Sequence, residues 1–393
     1  MKILVINNLY PPDALGGYER SIADYARLLQ HRGHDVRVLT SGDSQQFSAS
    51  HISKYADPVV ERCLSLGGTY SLNQGAEWLP PDVLGAVDNR NRQILAQHLQ
   101  AFQPDVCLVG NLDLLNVDLV EQVLAAQVPV AHYVMNKHPG YVAEVAPKSP
   151  LYRYLTCSNW VTESLRQAGY PADTALTVYP GAAVDEFYQA ELPPHDRLRI
   201  AYASLVMHYK GADVLLEALW LLKAAGVEFT ATIAGGTLIP SYADALKEHV
   251  ESEGLQDCIT FPGVLSRPEL IQLYKTHNVL AFPSRFEEPF GISQVEAMAA
   301  GLTLITSGTG GAGEIVEHGQ DGLLFESENP LDLADALSFL PANPAEWDRL
   351  TRSGQQKALT QFSQASSLET LERALVALAE TSPNASTQSV HSR

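Results

Sequence analysis

Short apolar runs rich in β-branched residues alternate with amphipathic stretches along nearly the whole chain. This alternation is typical of parallel sheets flanked by helices. The first series of candidate strands covers residues 2–7, 35–40, 106–110, 129–134, 154–158 and 174–179. The second series covers residues 198–204, 229–235, 258–263, 279–284, 302–307 and 322–325. The pattern therefore predicts an α/β protein with two doubly wound domains in tandem.

The boundary between the domains is expected within residues 186–196, where the periodicity lapses and two consecutive prolines prevent a helix from continuing. Open parallel sheets bind ligands at the carboxyl ends of their strands, so a site between the domains is expected if those edges face each other. The predicted segments are an N-terminal domain over 1–187, a C-terminal domain over 188–363, a helix over 364–380 that could return to the N-terminal domain, and a disordered polar tail over 381–393.

Composition and charge narrow the class of protein. The chain has 393 residues, 46% of them hydrophobic and 18% charged, as expected of a folded globular protein. The net charge of −19 disfavours nucleic acids and anionic lipid surfaces as partners, because a negative field repels both. The four cysteines lack the CxxC spacing of zinc sites. The start resembles a strand rather than a signal peptide, and no stretch approaches the roughly 20 apolar residues of a membrane span, so we expect a cytoplasmic protein.

The first strand-to-helix connection contains Gly16 and Gly17 but lacks the GxGxxG pattern of dinucleotide-binding loops. Backbone N–H groups at the start of the following helix could receive an anion. An ordinary glycine-rich turn explains the two glycines equally well. Both interpretations therefore stay open for this loop.

Lys210 immediately precedes Gly211 at the predicted start of another helix. The helix dipole favours negative charge at that end, so a lysine there carries a small cost that a bound phosphate would reverse. A solvated surface lysine would need no ligand. Position alone leaves the two explanations equal.

Two carboxylates flank a third helix start. Pro289 and Gly291 break regular structure, so Glu288 is predicted in a loop after the strand over 279–284, and Glu296 in the first turns of the next helix. Backbone amides between them approach a helix N-terminus and could hold phosphate oxygens. This order suits a sugar, a pyrophosphate and a ribose, although dipole preference and solvation would also explain the two glutamates. The amides in question belong to Phe290, Gly291 and Ile292.

The segment EPFGISQVEAMAAG, from Glu288 to Gly301, resembles the Glu-x7-Glu motif of retaining, nucleotide-sugar-dependent glycosyltransferases of the group 1, or family 4, type. Residues 11–40, 154–187 and 309–325 are similar to other blocks of that family, in the expected order. The likeness covers essentially residues 1–375. It implies the GT-B fold, in which two Rossmann-like domains, one acceptor-side and one nucleotide-sugar-binding, face each other across a cleft.

The resemblance also implies roles for individual residues. Lys210 would contact the donor's diphosphate, Glu288 the hydroxyls of the transferred sugar, and Glu296 the ribose, with Lys210 and Glu288 acting in catalysis. The other implied donor contacts are Gly16 and Gly17 at the phosphates, the amides of Phe290, Gly291 and Ile292 at phosphate or sugar, and the backbone of Val264 and Leu265 at the base.

The chain departs from the family pattern at two places. Members commonly carry Gly-Arg where this chain has Ala203 and Ser204, so one cation for the diphosphate is missing and Lys210 would carry more of the charge. Members also often carry a histidine near the sugar, where this chain has Met135. The cations that could assist Lys210 are His208 and Arg285. The candidate contacts to acceptor or sugar are Asn111, His132, Asn136 and His138, although packing or solvation explains the two histidines better.

The implied reaction is transfer of a hexosyl group from a UDP-sugar, or next a GDP-sugar, to an acceptor hydroxyl with retained configuration. No metal and no further cofactor are expected, and the departing phosphate oxygen would act as the base. The acceptor would be a saccharide, a small molecule or a lipid-linked group bound chiefly by the first domain. Two alternatives stay open: a nucleotide-sugar epimerase of the same fold, and a non-catalytic nucleotide-sugar-binding subunit. The first loop disfavours a hydride-transferring enzyme.

Overall fold

A computed structural model of the protein describes residues 1–14, 16–42, 55–71 and 75–382. The chain divides into two compact units. The first unit comprises Met1–Tyr179 with Ser367–Arg393, and the second unit comprises Pro180–Ser366.

The first unit is built on a parallel sheet. Its strands are β1 (Lys2–Ile6), β2 (Asp35–Ser41), β3 (Val59–Leu64), β4 (Gly68–Ser71), β5 (Gly75–Trp78), β6 (Val106–Val109), β7 (Val130–Val134), β8 (Tyr152–Thr156) and β9 (Leu176–Thr177). Its first helices are α1 (Gly17–His31), α2 (Pro81–Phe102), α3 (Asp118–Ala125) and α4 (Asn159–Gln167). Within the described residues, seven strands pair in the order β3-β2-β1-β6-β7-β8-β9, and β4 pairs antiparallel with β5. The strand order therefore reverses between β1 and β6.

The second unit repeats this arrangement. Its helices are α5 (Val184–Phe187), α6 (Ala212–Ala224), α7 (Pro240–Ser252), α8 (Arg267–Thr276), α9 (Ile292–Ala299), α10 (Pro330–Ala342) and α11 (Pro344–Gln361). Its strands are β10 (Leu198–Ala203), β11 (Phe229–Ala234), β12 (Ile259–Gly263), β13 (Val279–Phe282), β14 (Thr303–Thr306) and β15 (Leu323–Leu324). The sheet order is β12-β11-β10-β13-β14-β15, all parallel, so the order reverses between β10 and β13. The last helix of the chain is α12 (Gln364–Ala379).

The continuous apolar runs form interior strands of the two sheets. In β6, β7, β13 and β14 every residue is buried, as continuous apolar runs predict for parallel strands. All twelve predicted strands are confirmed. Three strands, β3, β4 and β5, were not predicted. β3 forms the edge of the first sheet and is mostly exposed or half-buried, so it needs no apolar run.

The division between the units lies after Tyr179, earlier in the chain than the predicted boundary after residue 187. The short helix α5 packs within the second unit, which explains the difference. Glu186 forms an ion pair with Arg267 at 2.6 Å, and the ring of Phe187 lies 5.7 Å from that of Tyr274.

The C-terminal helix joins the first unit from Ser367 onward. The hydroxyls of Ser367 and Tyr25 lie 2.5 Å apart, and Glu372 accepts a hydrogen bond from Nε2 of His34 at 2.8 Å. Of the tail predicted as disordered, only Thr381 and Ser382 lie within the described residues. In the part of the chain that the structure covers, no helix combines the length and apolar character needed to cross a bilayer.

Candidate functional site

The loops after β10 and β13 meet where the second sheet reverses its strand order. A 3₁₀ turn over His208–Lys210 follows β10 and places Lys210 before Gly211, the residue that precedes α6. Gly211 has a φ of 71°, and a Cβ there would overlap the carbonyl oxygen of Pro283 in the loop after β13. Glycine at this position therefore allows the two loops to approach closely.

Lys210 and Glu288 form an ion pair at this meeting point. Nζ of Lys210 donates to Oε1 of Glu288, and the two side chains are 14% and 9% exposed. The buried hydroxyl of Ser284 donates to the same carboxylate oxygen at 2.7 Å. The ring centroids of Tyr209 and Phe286 lie 5.4 Å and 5.2 Å from Nζ. A cation held among rings and partly shielded from water attracts an incoming anion more strongly than a fully solvated one.

The segment that follows Glu288 confirms the predicted loop and helix start. Gly291 has a φ of 106° and lies directly before α9, so the amides around it stand at a helix N-terminus. A Cβ on Gly291 would overlap the buried carboxamide of Gln294, which folds back toward the helix start. Phe290, by contrast, is buried, and its ring lies 5.5 Å from that of Phe362. The buried side chain of Phe290 therefore fixes the loop to the core. The backbone amides beside it remain at the N-terminus of α9.

The backbone of Glu288 is held by a second glycine-rich loop. Its carbonyl oxygen accepts a hydrogen bond from the amide of Gly311 at 2.7 Å. Gly310 has a φ of 66°, and a Cβ there would lie 2.6 Å from the same oxygen. This close approach fixes the position of the carboxylate, which a ligand-binding acid needs.

Glu296 lies in α9, as predicted, and has its own cationic partner. Nη1 of Arg267 lies 3.3 Å from its carboxylate, and the same guanidinium lies 4.9 Å from the ring centroid of Phe187. Glu288 and Glu296 therefore contact different cations and do not form one acid–base pair, in agreement with their predicted separation.

Arg285 lies beside the turn that carries Lys210, where Nη1 donates to the carbonyl oxygen of His208 at 2.6 Å. Its guanidinium donates two hydrogen bonds of 2.8 Å to Asp213 and one of 2.9 Å to Glu328. Burial raises the pKa of Asp213, but hydrogen bonds from Arg285 and Tyr242 outweigh burial and hold it below the ordinary value. These contacts tie the loop of Arg285 to α6, and the expected help for Lys210 from Arg285 stays a prediction. The other expected helper, His208, is exposed beside Lys210.

An exposed apolar surface lies at the carboxyl ends of the three strands on the other side of the reversal. Val264, directly after β12, is 76% exposed, and Leu205 and Ile239 are also exposed in the loops after β10 and β11. A Cβ on Gly236 would lie 2.9 Å from Val264. Leu265, the second predicted contact to a base, is half-buried. This surface suits the face of a planar ring.

In the first unit, the protein itself supplies a partner for one amide of the predicted anion site. Gly17 begins α1, as predicted, but the amide of Gly16 donates to Oε2 of Glu19 at 3.0 Å. Glu19 is buried, so its carboxylate satisfies the helix N-terminus from inside. A phosphate at the Gly16 amide would have to compete with this carboxylate, and the phosphate contacts of Gly16 and Gly17 stay a prediction.

Asn111 and Asn136 both lie near Asp113, in the loops after β6 and β7. The side-chain oxygen of Asn111 accepts from the amide of Asp113 at 3.0 Å, and Nδ2 of Asn136 donates to Oδ2 of Asp113 at 3.4 Å. Nδ2 of Asn111 lies 3.4 Å from Oε1 of Glu19. Burial raises the pKa of Asp113, and the charge of Glu19 adds to that rise.

The two histidines of the first unit have different environments. His132 is fully buried in β7, and its Nδ1 lies 2.7 Å from the hydroxyl of Tyr152. Burial lowers the pKa of His132 to about 3, so it is a neutral, packed side chain. His138 is exposed, with its ring 6.5 Å from that of Tyr170, and Met135 is buried. Packing accounts for His132, as the sequence favoured.

Several residues that contact these sites were not predicted from the sequence. Ser284 is the last residue of the predicted strand over 279–284, and a hydroxyl at the carboxyl end of a strand is a usable signal. Glu19 follows Gly16 at capping-box spacing, which is also readable. Nothing local marks the pairing of Asp213 with Arg285. Across residues 1–14, 16–42, 55–71 and 75–382, no three His, Cys, Asp or Glu side chains are grouped closely enough to hold a metal ion.

Comparisons with known proteins agree with this geometry. The family model described as "Glycosyl transferases group 1" matches residues 184–357. Glycogen synthase of Mycobacterium tuberculosis is 26% identical over 403 residues, which cover 92% of this chain and 91% of that protein. The GDP-mannose-dependent alpha-(1-6)-phosphatidylinositol monomannoside mannosyltransferase of the same organism is 25% identical over 367 residues, covering 86% and 89%. The crystal structure of Anabaena HepE in complex with UDP matches with a TM-score of 0.73 at 19% identity, covering 96% of this chain and all of that one.

The fold is that of the GT-B glycosyltransferases, with two Rossmann-like domains built on parallel sheets. Within that class, residues 184–357 match the group 1 glycosyltransferase family, and the two mycobacterial relatives that align over most of the chain are named as glycosyltransferases or glycogen synthase. These findings support the resemblance that the motifs suggested.

Proposed function

We propose that the protein transfers a hexosyl group from a UDP-sugar to an acceptor hydroxyl, with retention of configuration and without a metal or other cofactor. Lys210 binds the diphosphate, Glu288 binds the hydroxyls of the transferred sugar, and Glu296 binds the ribose. The amides around Gly291 bind phosphate or sugar oxygens, and Val264 and Leu265 lie against the base. A cytoplasmic location stays a prediction.

The observation that carries this proposal is the meeting of Lys210, Glu288 and Ser284 at the reversal of the second sheet. Open α/β sheets bind nucleotides at such reversals. The cation, the carboxylate and the helix N-terminus at Gly291 supply, side by side, the groups that a diphosphate joined to a sugar requires.

Cleavage of the donor builds negative charge on the departing diphosphate. Lys210 and the amides at the start of α9 are fixed before the reaction, so they stabilise that charge without further rearrangement. Positive charge supplied in this way takes the place of a metal ion. The departing phosphate oxygen then accepts the proton of the acceptor hydroxyl, and no protein nucleophile is needed.

The donor base is the least constrained part of the proposal. The solved structure of HepE contains UDP, whereas the mycobacterial mannosyltransferase is named for GDP-mannose. A thermal-shift comparison of UDP, GDP and ADP ranks the three, because a ligand stabilises the native state in proportion to its affinity. We expect the largest shift with UDP, and a larger shift with GDP would replace UDP-sugar with GDP-sugar in the proposal.

The reaction is tested with EDTA-dialysed protein, UDP-glucose and a panel of hydroxyl acceptors. We expect UDP release that depends on the acceptor and a product with an α linkage, as read by proton NMR. A requirement for added Mg²⁺ or Mn²⁺ would contradict the metal-free part of the proposal. A β-linked product would contradict retention.

Two further functions are separated by the same experiment. An epimerase would convert UDP-glucose into another nucleotide sugar without any acceptor. A non-catalytic subunit would bind UDP tightly and turn over no donor with any acceptor. The loss of the family arginine at Ala203 and Ser204 and the packed state of His132 are the observations that motivate the second of these.

A further inference from the structure

A polar cluster lies where the first sheet reverses its strand order, and the proposed donor chemistry does not use it. Its members follow three neighbouring strands or belong to the hairpin beside them. We call it the amide cluster; it comprises Asn8 after β1, Tyr70 in β4, Asn111 and Asp113 after β6, and Asn136 after β7.

The hairpin and the loops are joined at the backbone of Asp113. Nδ2 of Asn8 donates to the hydroxyl of Tyr70 at 2.8 Å and to the carbonyl oxygen of Asp113 at 3.3 Å. The hydroxyl of Tyr70 lies 3.4 Å from the same carbonyl. These contacts hold Asp113 in place through its main chain and leave its carboxylate for other partners.

The carboxylate of Asp113 is weakly satisfied. Within the described residues, its side-chain partners are two amides: Asn136 donates at 3.4 Å, a long contact, and a hydrogen bond with the side chain of Asn111 opposes the rise of its pKa. Gly140, with a φ of 91°, passes close by, and a Cβ there would lie 3.3 Å from Oδ1. A carboxylate offers about four acceptor positions, so a half-buried carboxylate with two amide partners retains capacity to accept further hydrogen bonds.

Charge distinguishes this cluster from the donor site. In the second unit Glu288 is paired with Lys210, and Asp321 with Lys357 at 2.8 Å. Among the residues that the structure describes, Asp113 forms no ion pair with lysine, arginine or histidine. Amide, phenol and carboxylate groups exchange hydrogen bonds with neutral hydroxyls, whereas an uncompensated carboxylate repels phosphate.

We infer that the amide cluster binds the uncharged, hydroxyl-rich part of the acceptor, a sugar or polyol without phosphate at that end, and that Asp113 accepts a hydrogen bond from one of its hydroxyls. This inference rests on the proposed function and names the acceptor class for it. Asn136 and the loop at Gly140 orient the carboxylate, and Tyr70 and Asn8 fix the backbone beneath it.

The first arm of the test compares acceptors. UDP release from UDP-glucose is measured with D-glucose, maltose and myo-inositol, and then with glucose 6-phosphate and myo-inositol 3-phosphate at equal concentration. We expect at least one neutral compound to accelerate UDP release, with its phosphorylated counterpart less effective by about ten-fold or more. Preference for a phosphorylated compound would overturn the inference.

The second arm compares Asp113→Ala with Asp118→Ala, a carboxylate of the same unit that is exposed in α3 and paired with Arg92 at 3.2 Å. Loss of a hydrogen bond to a charged group corresponds to a ten-fold to hundred-fold effect, so we expect Asp113→Ala to raise the KM for the best neutral acceptor by about that factor. The KM for UDP-glucose should change far less, and Asp118→Ala should resemble the parent. An unchanged acceptor KM in Asp113→Ala would overturn the inference.

The third arm uses no donor. Saturation-transfer NMR with the same neutral sugars should give a signal with the parent protein that weakens in Asp113→Ala. This arm separates the two proposals. If the protein did not bind UDP, the proposed donor site would be contradicted, but the signal from the neutral sugars would be unaffected. Equal signals from the parent and Asp113→Ala would overturn the acceptor site even if donor turnover is intact.

Discussion

The two sheets reverse their strand order in the same way but carry opposite chemistry at that point. In the second sheet, Lys210 and Glu288 form a partly buried ion pair between the loops after β10 and β13. In the first sheet, Asp113 lies among amide side chains and forms no ion pair within the described residues, and Glu19 closes the helix start at Gly16.

The difference shows that topology selects the place of a site while side chains select its ligand. A cation beside a helix start suits a diphosphate, whereas carboxylate and amide groups suit hydroxyls. The Glu-x7-Glu motif belongs to the first kind of site. The residues of the second kind of site lie outside that motif, in the loops of the first sheet.

The largest effect is expected from Glu288→Gln. Turnover of UDP-glucose should fall about 10²-fold to 10³-fold, because the proposed contact of Glu288 with the reacting sugar would be weakened. Binding of UDP alone should not weaken, since Lys210 is then released from its carboxylate partner. Steady-state kinetics and calorimetry measure the two quantities. Glu287→Gln changes the exposed neighbour and serves as control, and a loss of the same size in both variants would contradict the role of Glu288.

The approach of the two loops is tested with Gly211→Ala against Gly226→Ala. Both glycines have positive φ, but a Cβ at 226 meets nothing within 4 Å, whereas one at 211 overlaps the carbonyl oxygen of Pro283. We expect Gly226→Ala to lower the free energy of unfolding by about 1 kcal/mol, and Gly211→Ala by about 3 kcal/mol. Urea unfolding measures both values. Equal losses would show that the loops do not need this contact.

The packed role of His132 has a pH signature in the first unit. Its folded-state pKa of about 3 lies below the unfolded value of about 6.5. The contribution of the neutral ring to the free energy of unfolding is therefore complete above about pH 6.5 and is lost progressively as the pH falls toward 3. Between pH 6.5 and pH 4.5 the parent should lose about 2–3 kcal/mol relative to His132→Phe. A difference in urea unfolding that stays constant over this range would contradict the buried, neutral state.

The smallest effect concerns the hydroxyl that supports Glu288. Ser284→Ala should lower kcat/KM about ten-fold, because the carboxylate loses its 2.7 Å hydrogen bond, and Ser284→Thr should restore much of it. Ser307→Ala is the matched control, since that hydroxyl donates to the backbone of Ser284 and not to Glu288. If Ser284→Ala keeps full activity, Ser284 does not position the carboxylate.

Local signals revealed much of the second site. The spacing of Glu288, Gly291 and Glu296 was readable because a loop, a helix start and a helix follow one another directly in the chain. The ion pair of Lys210 with Glu288 is not local, since it depends on β10 and β13 lying side by side. The pairing of Arg285 with Asp213 was not predicted for the same reason, because Asp213 lies far away in the chain, in α6.

The first unit was harder to read. The apolar runs of β1, β6 and β7 predicted the sheet. In contrast, β3 is an edge strand, and β4 and β5 form a short hairpin, so the hydrophobic periodicity of these three strands is weak. Tyr70 belongs to that hairpin, and its contact with Asn8 joins residues far apart in the chain. The hydrogen bond from the Gly16 amide to Glu19, at the site where an anion was expected, was also not predicted.

The central claim is that Lys210 holds the diphosphate, and the dissociation constant for UDP tests it most directly. Titration calorimetry compares the parent with Lys210→Ala and with Lys357→Ala. The second variant is the control, because it breaks the ion pair of Lys357 with Asp321 in the same unit, whose side chains are 16% and 10% exposed. We expect Lys210→Ala to weaken UDP binding at least about ten-fold, and Lys357→Ala to bind UDP like the parent. Equal affinity of Lys210→Ala and the parent for UDP would contradict the account.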